Sequence, residues 1–180
     1  MRLFFALWPD TQVRARLAHA AATLPLDGRA RRVAAESFHL TLAFLGEVSA
    51  PQLGALQQIG RALHAPACRI GLDAYEYWPE PQVVVAAARE NSAALLELCA
   101  QLHQALSRCE AAPHFKRPTL PLRAHVTLAR KVAQAPVLQA MSPFHWNARS
   151  FSLVCSDTSG GHSVYTVVDT WSLLDEHSNP

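Results

Sequence analysis

The chain has 180 residues, half of them hydrophobic and 17% charged, with a formal net charge of +2. That length accommodates one domain, or one domain with two lobes, and a core large enough to need no staples. The small net charge does not point to the long basic surface of a duplex-binding protein but permits an anionic ligand.

The N-terminal run Leu3 to Trp8 is short, apolar and aromatic-rich, and Pro9 closes it. It lacks a small-residue cleavage site, so it predicts a buried strand rather than a signal peptide. Asp10 is placed to cap a helix with Val13, Leu17, Ala20, Ala21 and Leu24 on one face, ended by Pro25 and Gly28. Phe38 to Leu45 reads as a strand closed by Gly46. Ser49, with Pro51 after it, opens a second helix whose apolar face is Leu53, Leu56, Ile59 and Leu63. Arg69 to Tyr77 then reads as a strand.

The same order recurs. Gln82 to Ala88 is a strand, and Asn91 or Ser92 caps a long helix with Leu95, Cys99, Leu102, Leu106 and Cys109 on one face. Residues 113–121 form a proline-containing loop, Ala124 to Arg130 a strand, and Pro136 to Met141 a short helix. Phe151 to Cys155 and Ser163 to Leu173 read as two closing strands around a Gly160-Gly161 turn. Two passes of strand, helix, strand, helix, strand predict an α+β fold of two pseudo-symmetric lobes. No linker rich in Pro, Gly or Ser divides residues 1–180 into separate domains.

Cys68, Cys99, Cys109 and Cys155 make no CxxC pair and no zinc-type cluster with histidine. All four are expected as small buried hydrophobes in a reducing compartment, the cytoplasm. No apolar stretch is long enough to span a membrane.

The chemistry lies in two stretches, Phe38-His39-Leu40-Thr41-Leu42-Ala43-Phe44-Leu45-Gly46 and Ala124-His125-Val126-Thr127-Leu128-Ala129-Arg130. Each places His and Thr two residues apart on a strand, hence on one face. Leu40, Leu42 and Phe44 in the first copy, and Val126 and Leu128 in the second, are expected on the core face. One H-x-T strand alone is an ordinary polar sheet face. Two at equivalent places in a duplicated plan predict His39 and His125 facing each other across a cleft. Two imidazoles so placed suit acid–base catalysis near neutral pH. The hydroxyls of Thr41 and Thr127 can donate to phosphate oxygens. The pattern calls for no metal and no cofactor.

Alternation alone puts Arg130 on the face opposite His125; only a bulge or strand end would bring it into the cleft to contact phosphate. Phe4, Phe5, Tyr165 and Trp171 are expected in the core, although one of Phe4 and Phe5, and likewise Tyr165 or Trp171, could line the cleft and stack on a base. His114, His145 and His162 are expected as surface loop residues.

The paired HxTx motifs resemble those of the 2H phosphoesterase superfamily. The opening Arg2-Leu3-Phe4-Phe5-Ala6-Leu7, both motif strings and the 156–165 stretch are similar to its RNA 2',3'-cyclic phosphodiesterase branch, formerly described as 2'-5' RNA ligases. This resemblance covers nearly the whole chain. It implies a bilobal fold with two antiparallel-type sheets facing a central cleft and helices outside. It implies hydrolysis of 2',3'-cyclic phosphate ends of RNA to 2'-phosphates, with His39 donating a proton to the departing 3'-oxygen and His125 activating water. Relatives often carry Pro before the second histidine, where this chain has Ala124, and the 114–121 approach is extended.

Related substrates are the alternatives: small cyclic nucleotides, ADP-ribose cyclic phosphates, or the reverse ligation forming a 2'-5' bond. No phosphate-cradling glycine loop supports ATP-driven ligation. A non-catalytic RNA-binding module would need exposed aromatics on a sheet and a basic rim, whereas the paired sheet residues here are His and Thr. A monomer is the default expectation.

Overall fold

The computed structural model of the protein describes residues 1–157 and 163–175. The opening apolar run forms strand β1 (Arg2–Leu7), buried at every position but the first. It is covered on both faces, which explains why its hydrophobicity is continuous rather than alternating. Leu3, Phe5 and Leu7 join the main core, while Phe4 and Ala6 lie in a smaller cluster with Val154. Strand β6 (Val83–Ala87) has the same character. Its Val84 and Ala86 enter the main core, and Val83, Val85 and Ala87 form a second small cluster.

The helices start where their caps predict. Helix α1 (Thr11–Thr23) is capped by Asp10, whose carboxylate accepts from the Val13 amide at 2.8 Å. At its other end Arg32 donates to the carbonyls of Ala21 and Leu24, at 2.7 and 2.8 Å. Both lie at the helix end, where carbonyls lose their regular i+4 amide partners, and the guanidinium adds to the amides of Leu24 and Leu26 that they accept. Ser49 and Gln52 form a capping box ahead of α2 (Leu53–Ala62). Ser92, not Asn91, caps α3 (Ala93–Ser107); the Asn91 amide instead donates to the Leu122 carbonyl at 2.7 Å. At Gly60 in α2 a Cβ would lie 2.5 Å from the Trp171 indole, so a larger residue there would force that ring to shift.

The remaining strands are β2 (Arg31–Arg32), β3 (Leu40–Glu47), β4 (Cys68–Leu72), β5 (Ala74–Trp78), β7 (His125–Arg130), β8 (Phe144–Ala148), β9 (Ser150–Asp157) and β10 (Val164–Ser172). They make two four-stranded sheets, ordered β10-β9-β1-β3 and β2-β7-β6-β5, and a β4-β8 ribbon. Every strand pairing within them is antiparallel. The fold is α+β and pseudo-symmetric, β1 and β3 in one sheet matching β6 and β7 in the other.

Three expectations are corrected. The strand over 69–77 is two strands broken at Asp73, and its halves enter different sheets. The Asp73 carboxylate turns the chain by accepting from the Arg89 amide at 3.1 Å. Residues 136–141 are irregular rather than helical. Six residues bracketed by Pro136 and Pro143 are too few to repay helix nucleation. Last, the two passes of the chain do not map one to one onto the sheets. β5, from the first half, pairs with β6, while β9 and β10, from the second, complete the sheet containing β1.

Cys68 and Cys99 are buried, and burial pushes both thiols up to about 12. Cys109 and Cys155 are only half-buried, and all four are free. Among the described residues no helix is long and apolar enough to cross a membrane. The predicted Gly160-Gly161 turn and His162 lie outside the described residues.

Candidate active site

A cleft of about 300 Å³ opens between the two sheets, and His39, Thr41, His125, Thr127 and Arg130 all line it. The pairing registers explain how. Thr41 lies opposite Ala6, and Thr127 opposite Val85, on the cleft faces of β1 and β6.

Beyond each threonine the strand bulges. Phe5 pairs with Ala43 and Ala6 with Thr41, leaving Leu42 as an extra residue. Val84 pairs with Ala129 and Val85 with Thr127, leaving Leu128 extra in the same way. In each case a Leu-Ala pair is buried side by side in the core, and the next residue is turned back into the cleft. In β7 that residue is Arg130. In β3 it is Phe44, which simple alternation assigns to the core. Phe44 is instead 46% exposed and lines the cleft, with the Arg2 guanidinium 4.7 Å above its ring.

The two imidazoles are held alike. His39 Nδ1 lies 2.7 Å from the Ser37 carbonyl oxygen, and His125 Nδ1 lies 2.7 Å from that of Arg123. A carbonyl only accepts, so Nδ1 carries the proton in both rings and Nε2 is left for chemistry. Among the described residues, neither Nε2 nor either threonine hydroxyl has a hydrogen-bond partner.

Aromatic side chains fix the rings. Phe4, Trp8 and Tyr165 surround His39 at centroid distances of 5.0, 5.4 and 5.0 Å. Trp78 packs on His125 at 4.4 Å. Trp78 is itself braced: its indole donates to Glu76 at 2.8 Å, Arg123 stacks over it, and Arg123 pairs with Glu76. Phe4 and Tyr165 are therefore cleft residues rather than plain core, whereas Phe5 and Trp171 pack against Phe151 in the interior. His114 and His145 are exposed, though His145 sits on β8 rather than in a loop.

Among the described residues no carboxylate lines the cleft, whereas Arg2 and Arg130 do. Burial is the main reason His39 is held down to about 4; the charges of Arg130 and His125 add to it, and the hydrogen bond to Ser37 opposes it. His125 is also held below the usual 6.5, mainly by burial, with Arg123 and Arg130 lowering it and its Arg123 carbonyl bond and Glu76 opposing. Both shifts favour the neutral ring, and an anion bound between the two would favour their protonated forms. Among the described residues, no group of three His, Cys, Asp or Glu side chains could hold a metal ion.

Sequence reasoning missed Phe44 and Trp78 as cleft residues and favoured the core for Tyr165. The bulge that turns Phe44 has no glycine or proline to announce it, and Trp78 and Tyr165 reach their histidines only through non-local pairing.

The 2'-5' RNA ligase superfamily model matches residues 9–158. An RNA 2',3'-cyclic phosphodiesterase of Escherichia coli is 32% identical over 174 residues, covering 96% of each chain. One of Thermus thermophilus is 33% identical over 187 residues, covering 98% of this chain and 92% of the relative. The fold superimposes on the crystal structure of E. coli LigT complexed with 3'-AMP at a TM-score of 0.83, with 29% identity over 96% of this chain and 97% of that one. The chain belongs to the 2'-5' RNA ligase superfamily of two-histidine phosphoesterases.

Proposed function

We propose that this protein is an RNA 2',3'-cyclic phosphodiesterase that opens the cyclic phosphate at an RNA end by acid–base catalysis between His39 and His125. The observation that carries the reading is the matched pair of imidazoles. Each is pinned through Nδ1 to a backbone carbonyl, and each presents its Nε2 to a cleft lined by arginines and, among the described residues, by no carboxylate. The names of the relatives, RNA 2',3'-cyclic phosphodiesterases over nearly the full length, support the same substrate class.

In the reaction, water attacks the phosphorus of the cyclic diester while His125 Nε2 removes its proton. The bond from phosphorus to the 3'-oxygen breaks, and His39, protonated at Nε2, gives its proton to that oxygen. The products are a 2'-phosphomonoester and a free 3'-hydroxyl. His39 is left neutral and His125 protonated, and exchange with solvent resets the pair. The division of roles comes from the family resemblance, because the Nδ1 geometry is the same at both rings. Thr41 and Thr127 donate to the non-bridging phosphate oxygens, and Arg130 adds a charge-assisted contact. No step is routed through a metal. The protein acts as a single bilobal unit over 1–180, a monomer in the cytoplasm.

The test is hydrolysis of a short RNA ending in a 2',3'-cyclic phosphate, with EDTA present and the 2'- and 3'-phosphate products resolved. Release of the 2'-phosphate is the expected result. A 3'-phosphate product, or turnover abolished by EDTA, contradicts the mechanism. No turnover of the RNA alongside hydrolysis of a small cyclic nucleotide would move the substrate to that class.

A further inference from the structure

Arg31 and Arg130 are paired in register on neighbouring strands β2 and β7. Residues directly opposite each other in an antiparallel pair project from the same face, with Cβ atoms about 4.5–5.5 Å apart. Arg130 projects into the cleft, so Arg31 stands beside it on the cleft side. The next residue, Arg32, reaches the other way, to the carbonyls closing α1. Among the described residues, neither the Arg31 nor the Arg130 side chain has a hydrogen bond or an ion pair. Two like charges opposite one another repel and cost stability. Nothing among the described residues offsets that cost, while an anion lying across both guanidiniums would.

The position of the pair indicates which anion. Arg130 is within Coulombic reach of both histidines, since its charge lowers both, which puts it beside the reacting phosphate. β2 is the edge strand of its sheet, so Arg31 lies one strand further out, where the cleft meets its rim. An RNA ending in a 2',3'-cyclic phosphate continues only on its 5' side. We infer that Arg31 forms a second phosphate subsite, which holds the phosphodiester on the 5' side of the terminal nucleotide and makes the enzyme prefer oligonucleotide ends over cyclic mononucleotides. The inference rests on the functional reading above. Exposed, with its partner strand already formed and no bond of its own to lose, Arg31 can be replaced without disturbing the fold.

The experiment compares kcat/KM for a trinucleotide ending in a 2',3'-cyclic phosphate with that for a 2',3'-cyclic mononucleotide, in the unmodified protein and in Arg31→Ala and Arg31→Lys. The trinucleotide-to-mononucleotide ratio should fall about tenfold in Arg31→Ala, the scale of one charge-assisted contact at an exposed site, and by less in Arg31→Lys. The slope of log(kcat/KM) against log[salt] for the trinucleotide should become shallower by about 0.7, as expected when one single-strand phosphate contact is lost. A ratio and slope left unchanged by Arg31→Ala would overturn the inference. If the unmodified protein turns over neither substrate, the functional reading fails on its own. Fluorescence anisotropy with a labelled trinucleotide 2'-phosphate then reads the subsite separately, and equal affinity for the unmodified protein and Arg31→Ala overturns it.

Discussion

The ring of His103, on α3, reaches across to the carbonyl oxygen of Leu42 with its Nε2 at 2.8 Å. Leu42 is the extra residue of the β3 bulge, and β3 is an edge strand, so no neighbouring strand supplies that carbonyl with a donor. In the second sheet the equivalent carbonyl, of Leu128, receives the Val33 amide at 2.8 Å from the chain following β2. His103 thus does with a side chain what an outer strand does in the other lobe. It helps hold the turn that carries Thr41 and Phe44 into the cleft. Phe115 packs against its ring at 5.4 Å.

Replacing His103 with Leu removes that donor and strands the carbonyl. The expected loss of stability is about 1–3 kcal/mol, read by urea unfolding, and KM should rise because the phosphate-binding edge of β3 loosens. His103→Gln, which keeps a donor, should recover part of both. A His103→Leu variant with unchanged stability and unchanged KM would show that the bond does not hold the bulge.

The pH profile follows from the same cleft. The mechanism needs one histidine neutral and one protonated, so kcat/KM should peak between the two apparent pKa values of the pair. Burial and Arg130 hold His39 to about 4 and keep His125 below 6.5, so the peak should fall on the acid side of pH 6.5. The bound phosphate anion favours both protonated rings, which displaces the kcat profile upward. Arg130→Gln removes a charge that lowers both histidines and should move the kcat/KM peak to higher pH. A peak above pH 7 in the unmodified protein would contradict this electrostatic picture.

His39 also links pH to stability. Its folded value of about 4 lies below the unfolded value of 6.5. Between those limits the unfolded chain binds a proton that the folded one does not, so stability rises with pH across the window and is lost as pH falls through it. Thermal unfolding of His39→Gln from pH 7 to pH 4 should therefore show a flatter dependence than the unmodified protein. Identical slopes would mean that His39 is protonated as readily in the fold as in the open chain.

Thr41 and Thr127 each present to the cleft a hydroxyl with no partner among the described residues. Thr41→Val and Thr127→Val keep the shape and remove the donor. Each should lower kcat/KM about tenfold, the scale of one hydrogen bond to a charged group, with little change in Tm. A loss as large as that of a histidine variant would assign the threonine more than phosphate binding.

The site was readable in the sequence to the extent that it obeys local rules. Period-two alternation places His39 with Thr41 and His125 with Thr127, and the caps Asp10, Ser49 and Ser92 mark the helices that flank them. Phe44 was not readable, because the bulges at Leu42 and Leu128 carry no glycine or proline signal and shift the alternation by one. The exchange of β5 and β9 between the two sheets was not readable either, since a strand's own pattern does not name its partner. β8 shows both sides of this. Phe144, Trp146 and Ala148 are buried and His145 and Asn147 exposed, a clean alternation, yet the strand is short and gains its meaning only from β4.

If two histidines share the proton transfers, removing either one alone should stop turnover. Initial rates on an RNA 2',3'-cyclic phosphate end would be measured for His39→Ala and His125→Ala, with circular dichroism confirming the fold of each. Each variant should lose about 10²- to 10⁴-fold in rate, the usual contribution of a general acid or base, while remaining folded. Either variant retaining near-full rate would contradict it.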